Sequence, residues 1–196
     1  MKMTTSIIIA SVLVIGLIVF VSCKPKQVKE SKTEKIDAND NKENPFLGLR
    51  SMAFSATPQQ LGLEIPDDKT HVYGIILDWD LGDAIATIVG FETGDASMYL
   101  SSGGGVIGGG QHDNVRNVVK PYIKIGQDYL EKAAKSDTTT LPDKNCIKFH
   151  FLTNKGIYCA QEQMTNIENE TSDWLKLFEE ANKVLTELRL ISEKQQ

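Results

Sequence analysis

The sequence predicts an α+β fold, a single antiparallel sheet of about five strands flanked by helices, and three observations carry that prediction. Strand-like runs come in two groups, three between His71 and Leu100 and two between Cys146 and Ala160, each group joined by tight turns. A long apolar stripe at helical spacing follows each group. Helices alternating with antiparallel strand groups indicate a sheet with helices packed on it. At 196 residues, with 41% hydrophobic and 24% charged residues, the chain is long enough for one domain with appendages and has the composition of a globular protein.

The elements follow in order. Asn44-Pro45-Phe46 predicts a helix start, with Asn44 as the cap and proline at the first helical position. Phe46, Leu47, Leu49, Met52 and Ala53 supply its apolar face. Thr57-Pro58-Gln59-Gln60 predicts a second, short turn of helix with a reciprocal cap between Thr57 and Gln60, ending near Gly62. His71 to Trp79, Ala84 to Phe91 and Ala96 to Leu100 then form a three-stranded meander.

Val115, Val118, Val119, Tyr122, Ile123, Gly126, Tyr129, Leu130 and Ala133 form one buried face of a helix beginning near Asp113. Pro121 lies inside it and is expected to kink or restart the helix, because it removes a backbone donor and crowds the preceding turn. A polar loop from Ser136 to Asn145 leads to a hairpin of Cys146–Leu152 and Ile157–Ala160, with Ile147, Phe149 and Phe151 on one face. A last helix starts near Thr171-Ser172-Asp173. Its stripe of Trp174, Leu177, Phe178, Ala181, Val184, Leu185, Leu188 and Ile191 is the strongest in the chain. In outline this order resembles profilin-like and roadblock-like domains, a resemblance of element order that carries no motif and implies no activity.

The N-terminus has the layout of a secretory signal: Lys2, then an uncharged apolar run from Met3 to Ser22, ending at Cys23. Phe20-Val21-Ser22-Cys23 resembles a bacterial lipobox, with phenylalanine where leucine is commonest. The resemblance implies residues 1–22 as a signal peptide, a diacylated Cys23 as the first mature residue, and an envelope location. The alternative is an uncleaved single-pass anchor, since the run reaches the roughly 20 residues that span a bilayer. Residues 24–44 contain only Val28 and Ile36 as sizeable apolar side chains, so they are expected to be a disordered tether reaching on the order of 25 Å. The domain is then 45–196.

Charge excludes one class of partner. The formal net charge is −5, and with seven of the 21 bases and five of the 26 acids upstream of residue 45, the domain carries −7. An acidic body with three arginines lacks the basic footprint of a nucleic-acid binder.

Six of the fifteen glycines lie in Gly103-Gly104-Gly105-Val106-Ile107-Gly108-Gly109-Gly110. Gly103-x-Gly105-x-x-Gly108 matches a dinucleotide fingerprint as a string, but the strands before it look hairpin-connected and the chain is still helical about 20 residues on, where the acidic residue belongs. No phosphate-loop lysine follows. The remaining ligand reading is an anion or carboxylate held by backbone amides at the helix N-terminus by Gly103, Gly104, Gly105, Gly108, Gly109 and Gly110, with His112 as the reactive side chain. The competing reading is a turn, close packing or a hinge between meander and helix.

Asp78-x-Asp80-x-Gly82-Asp83 opens like a calcium loop but has Val89 at the bidentate position, so these read as turn residues with solvated carboxylates. His71 and His150 read as decoration of the sheet. No metal or cofactor is expected. Cys146 and Cys159 form an even pair, yet a turn at Asn154–Gly156 places Cys159 opposite residue 150 or 151 and Cys146 some 13 to 17 Å away at ~3.3 Å per residue. A disulfide needs Cα atoms within roughly 7 Å, so free thiols are expected.

Asn44-Pro45-Phe46, Gly48-Leu49-Arg50, Met52-Ala53 and the glycine block ending at His112 are also similar to those of a group of small bacterial proteins with no known function. The expectation for this chain is therefore a membrane-anchored envelope lipoprotein with a non-enzymatic binding or scaffolding domain, its partner a protein or a small anionic ligand. Two alternatives stand beside it: a small-ligand enzyme using the glycine loop and His112, and an immunity-type protein that neutralises a toxin.

Overall fold

A computed structural model describes residues 34–36 and 45–194 of the chain. The signal, the lipobox cysteine and most of the expected tether lie outside the described residues. Among the described residues no helix is long and apolar enough to cross a membrane.

The fold is α+β. Its elements are β1 (Glu34–Ile36), α1 (Phe46–Ser55), β2 (Val72–Asp80), β3 (Ile85–Phe91), β4 (Ala96–Leu100), β5 (Gly105–Ile107), α2 (Asp113–Tyr129), β6 (Ala134–Ser136), β7 (Cys146–Thr153), β8 (Gly156–Gln163), α3 (Met164–Glu168) and α4 (Leu175–Lys194). Seven strands between Val72 and Gln163 form one antiparallel sheet, joined at one edge by Glu34–Ile36, in the order β1-β5-β4-β3-β2-β7-β8-β6. The five expected strands are β2, β3, β4, β7 and β8. The sheet exceeds that expectation by β1, β5 and β6, each three residues long, because such short strands show no measurable alternation.

Alternation along the long strands sorts their side chains between two cores. Ile75, Leu77, Ile88, Phe149 and Phe151 face α2 and α4, where they meet Val115, Val119, Tyr122, Leu177 and Leu188. Tyr73, Ile76, Val89, Phe91, Tyr99 and Leu152 face the other way, under α1 and the stretch through Ile65. Burial on both faces explains why β2 reads as a continuous apolar run rather than an alternating one.

The hairpin register is as expected. Cys159 pairs with His150 and Cys146 with Gln163, so the two thiols sit at separate rungs and are free. The α4 stripe is buried at Leu177, Phe178, Ala181, Val184, Leu188 and Ile191. That helix begins a few residues later than expected, and Ser172 Oγ accepts the Trp174 N–H at 3.0 Å just before it. Thr57 and Gln60 make the reciprocal cap, with Thr57 N–H donating to Gln60 Oε1 at 2.9 Å and Gln60 N–H to Thr57 Oγ1 at 3.3 Å.

Three local expectations are corrected. Pro45 stands at the N-cap of α1 rather than at its first helical position, and its carbonyl accepts Leu49 N–H at 2.9 Å; Asn44 lies outside the described residues. Leu47 and Met52 are 65% and 68% exposed, and the face that α1 buries is Phe46, Arg50 and Ala53. Spacings of four and three put those residues on one stripe, which forces a charged side chain inward. Finally, α2 is one continuous helix through Pro121, so it does not restart there.

Candidate functional site

The glycine block is not one loop. Gly103 and Gly104, with φ of +99° and +84°, make the turn between β4 and β5; Gly105 is the first residue of β5, opposite Tyr99. Gly108, at φ +74°, turns the chain into a 3-10 turn, Gly109–Gln111, that leads to α2. Close packing explains the last pair. A Cβ on Gly109 would lie 2.5 Å from Leu188 of α4, and one on Gly110 would lie 2.7 Å from the Asp95 backbone. These residues hold β5 and the start of α2 tightly against the body, which is a different role from the expected hinge.

Amides expected to meet an anion have partners inside the protein at Gly103, which donates to the Leu100 carbonyl at 2.9 Å, at Gly108 and at Gly110. Gly110 N–H donates to Asp95 Oδ1 at 2.8 Å, Gly108 N–H to Ser97 Oγ at 3.3 Å, and His112 N–H to the Gly109 carbonyl at 3.0 Å. Arg116 donates to the Gly110 carbonyl and pairs with Asp113. The loop does hold a carboxylate, and that carboxylate is Asp95. His112 is half-buried at the N-cap of α2, where its carbonyl accepts Arg116 N–H at 3.1 Å.

The most heavily charged interior site was missed in the sequence. Asp78, in mid-strand β2, is fully buried rather than a solvated turn residue. Arg50 of α1 reaches it with Nε 3.1 Å from both carboxylate oxygens and Nη2 2.5 Å from Oδ2. Thr87 Oγ1 donates to Asp78 Oδ1 at 2.5 Å. His150 of β7, also fully buried and far from decorating the surface, places Nε2 3.3 Å from Asp78 Oδ2, without completing a well-aligned hydrogen bond at either ring nitrogen. Arg50 further donates to the Thr139 carbonyl at 2.7 Å, tying the loop before β7 to α1. The Phe54 ring stands edge-on to His150, 5.0 Å between centroids, and lies 4.7 Å from the Arg50 guanidinium carbon.

Burial alone would raise the Asp78 pKa, but His150, Arg50 and Thr87 together outweigh it and hold the carboxyl below its ordinary range. Burial lowers the His150 pKa, and Asp78 opposes that only in part, so the imidazole is neutral near pH 7. A sealed, internally satisfied ion pair of this kind orders the fold. It offers no path to a substrate.

One open feature of the surface is a groove of about 920 Å³ between the ends of β2 and β3 and the middle of α2, reaching α4. His71 Nε2 lies 2.8 Å from Glu92 Oε2 at its margin. Gln127 braces the wall, accepting Val72 N–H at 2.8 Å and donating to the Thr70 carbonyl at 3.2 Å. Lys120, Lys124 and Lys176 line the groove with no ion-pair partner among the described residues; of the acids in the same lining, Glu180 is taken by Lys183, Glu92 faces His71, and Asp128 lies one helical turn from Lys124. Three lysines and three acids leave this groove close to neutral in a domain of net charge −7.

Among the described residues no group of three His, Cys, Asp or Glu side chains is placed to hold a metal ion. Asp80 instead organises turns, accepting Gly82 N–H at 3.0 Å and Asn145 N–H at 2.6 Å. No protein family, no characterised protein and no solved structure matches this chain.

Proposed function

We propose that this chain is an envelope lipoprotein, lipidated at Cys23, whose α+β domain is a non-enzymatic binding module that takes an acidic partner or ligand in the lysine-lined groove. The observation that supports it most is the set of three lysines, Lys120, Lys124 and Lys176, that line one concave surface of an acidic domain without a direct ion-pair partner among the described residues. Lys120 and Lys124 are one helical turn apart, so their mutual repulsion is relieved when an anion sits between them. Against the enzyme reading, the Gly110 amide is directed at Asp95 and the Gly108 amide at Ser97, and the buried Asp78–His150 pair is closed to solvent. We extend the resemblance to profilin-like and roadblock-like domains to outline only.

Two measurements test this reading on the full chain. Metabolic labelling with a tagged fatty acid should mark the wild type and not Cys23→Ala; equal labelling of both removes the anchor. In detergent, citrate, inorganic phosphate and a short polyglutamate peptide serve as probes in thermal unfolding. At least one should raise the unfolding temperature in the wild type and lose that effect in Lys120→Glu/Lys124→Glu. No shift with any probe sinks the groove, and robust turnover dependent on His112 sinks the non-enzymatic reading.

A further inference from the structure

The sheet edge at β5 has an unusual construction. Its three residues are flanked by glycines on both sides, and residues 101 to 111 contain no charged residue and no proline. Exposed edges are normally protected by such residues, or by bulges, because unpaired backbone groups recruit any extended chain. This edge is protected differently. Glu34–Ile36, three residues from the stretch expected to be a tether, pairs along it antiparallel, with Glu34 opposite Ile107, Lys35 opposite Val106 and Ile36 opposite Gly105.

The edge is also preformed. On its inner side β5 pairs with Met98 and Tyr99 of β4. The glycines after it are packed against Leu188 and Asp95, so β5 keeps its position whether or not anything covers its outer side. Gly105 presents no side chain to a strand lying opposite it. A pairing of only three residues belongs to the part of a fold that opens first, since few backbone bonds hold it.

We infer that the outer edge of β5 is an acceptor site for an extended peptide strand and that Glu34–Ile36 is its resident occupant, a strap that a partner's strand displaces. Recognition is through the main chain, as in strand addition to an open sheet, with Gly105 setting a position where the incoming backbone approaches closely. This extends the binding-module reading to a second face. It rests on the sheet edge and not on the lysine groove, so either can fail without the other.

The test uses the full chain in detergent micelles, hydrogen–deuterium exchange, and a synthetic peptide of residues 30 to 40 as the probe. In Ile36→Pro, which removes the strap N–H that faces Gly105, exchange at residues 105 and 107 should rise about tenfold. That variant should bind the fluorescein-labelled peptide saturably and at least about tenfold more tightly than the wild type, where the strap competes; a peptide with proline at position 36 should bind neither. Without any variant, excess unlabelled peptide added to the wild type should speed exchange at residues 34 to 36 while residues 105 to 107 stay protected. Unchanged exchange at 34 to 36 under excess peptide, or failure of Ile36→Pro to bind it, overturns the proposal.

Discussion

Arg50 of α1 and Asp78 of β2, 28 positions apart in sequence, form a forked ion pair inside the protein, with both side chains almost completely shielded from water. Arg50 also binds the Thr139 carbonyl, so a single guanidinium joins α1, the sheet and the loop before β7.

Arg50→Ala should therefore be far more damaging than an ordinary surface substitution. It leaves Asp78 charged and unpaired in the interior, which costs about 3 to 5 kcal/mol. Urea denaturation of the wild type, Arg50→Ala and Arg50→Met/Asp78→Leu checks this. The double variant, which removes both charges, should recover most of the loss.

The same cluster sets a pH dependence. His150 has a folded pKa below its unfolded value near 6.5, so below that pH the unfolded chain binds a proton that the native state refuses. Its contribution is full above about pH 6.5 and is lost as pH falls through the folded pKa. Asp78 adds a second loss at lower pH: its folded pKa is depressed, so its contribution is present above about pH 3.9 and disappears as pH falls through the folded value. Urea midpoints measured from pH 7.5 to 4 should fall in the wild type, and the fall between pH 6.5 and 5 should be smaller in His150→Gln.

Gly110→Ala should destabilise by about 1 to 3 kcal/mol, because the new Cβ meets the Asp95 backbone, and displacing the loop breaks the Gly110–Asp95 hydrogen bond. Gly108→Ala has open space around it but sits at φ +74°, so it should cost about 1 to 2 kcal/mol through backbone strain alone. Thermal unfolding of the two variants separates a packed junction from a freely moving hinge, which would tolerate both.

Gly126→Ala reverses the usual sign for a helix interior. Replacing glycine by alanine there ordinarily stabilises by about 1 kcal/mol. In α2 the added Cβ runs into Ile75 Cδ1, the end of a fully buried side chain that must shift to make room. Overpacking of about 1 to 3 kcal/mol should outweigh the helical gain, and a higher unfolding midpoint would show that the two layers can separate at this point.

What could be read from the chain followed from local periodicity. Ile147, Phe149 and Phe151 alternate and share a face; Leu177, Ala181, Val184 and Leu188 recur at helical spacing and are buried. The turn at Asn154 was enough to place Cys159 opposite residue 150 or 151, and in the structure it pairs with His150. A signal for the interior cluster was present too. Arg50, Asp78 and His150 each interrupt an apolar run, at Phe46 to Ala53, Ile75 to Trp79 and Phe149 to Leu152. Opposite charges inside two apolar runs invite pairing, but nothing local says which runs meet.

By itself, then, the sequence determined the α+β class, the five long strands, the two amphipathic helices against the sheet and the hairpin register, since each depends on side-chain order within one segment. Only the tertiary structure decided that Arg50 turns inward onto Asp78 and His150, that the glycines pack against Leu188 and Asp95, and that Glu34–Ile36 closes the edge of the sheet. A charge can be buried, a glycine required or an edge covered only where a distant part of the chain supplies the partner, and that pairing is absent from any local pattern.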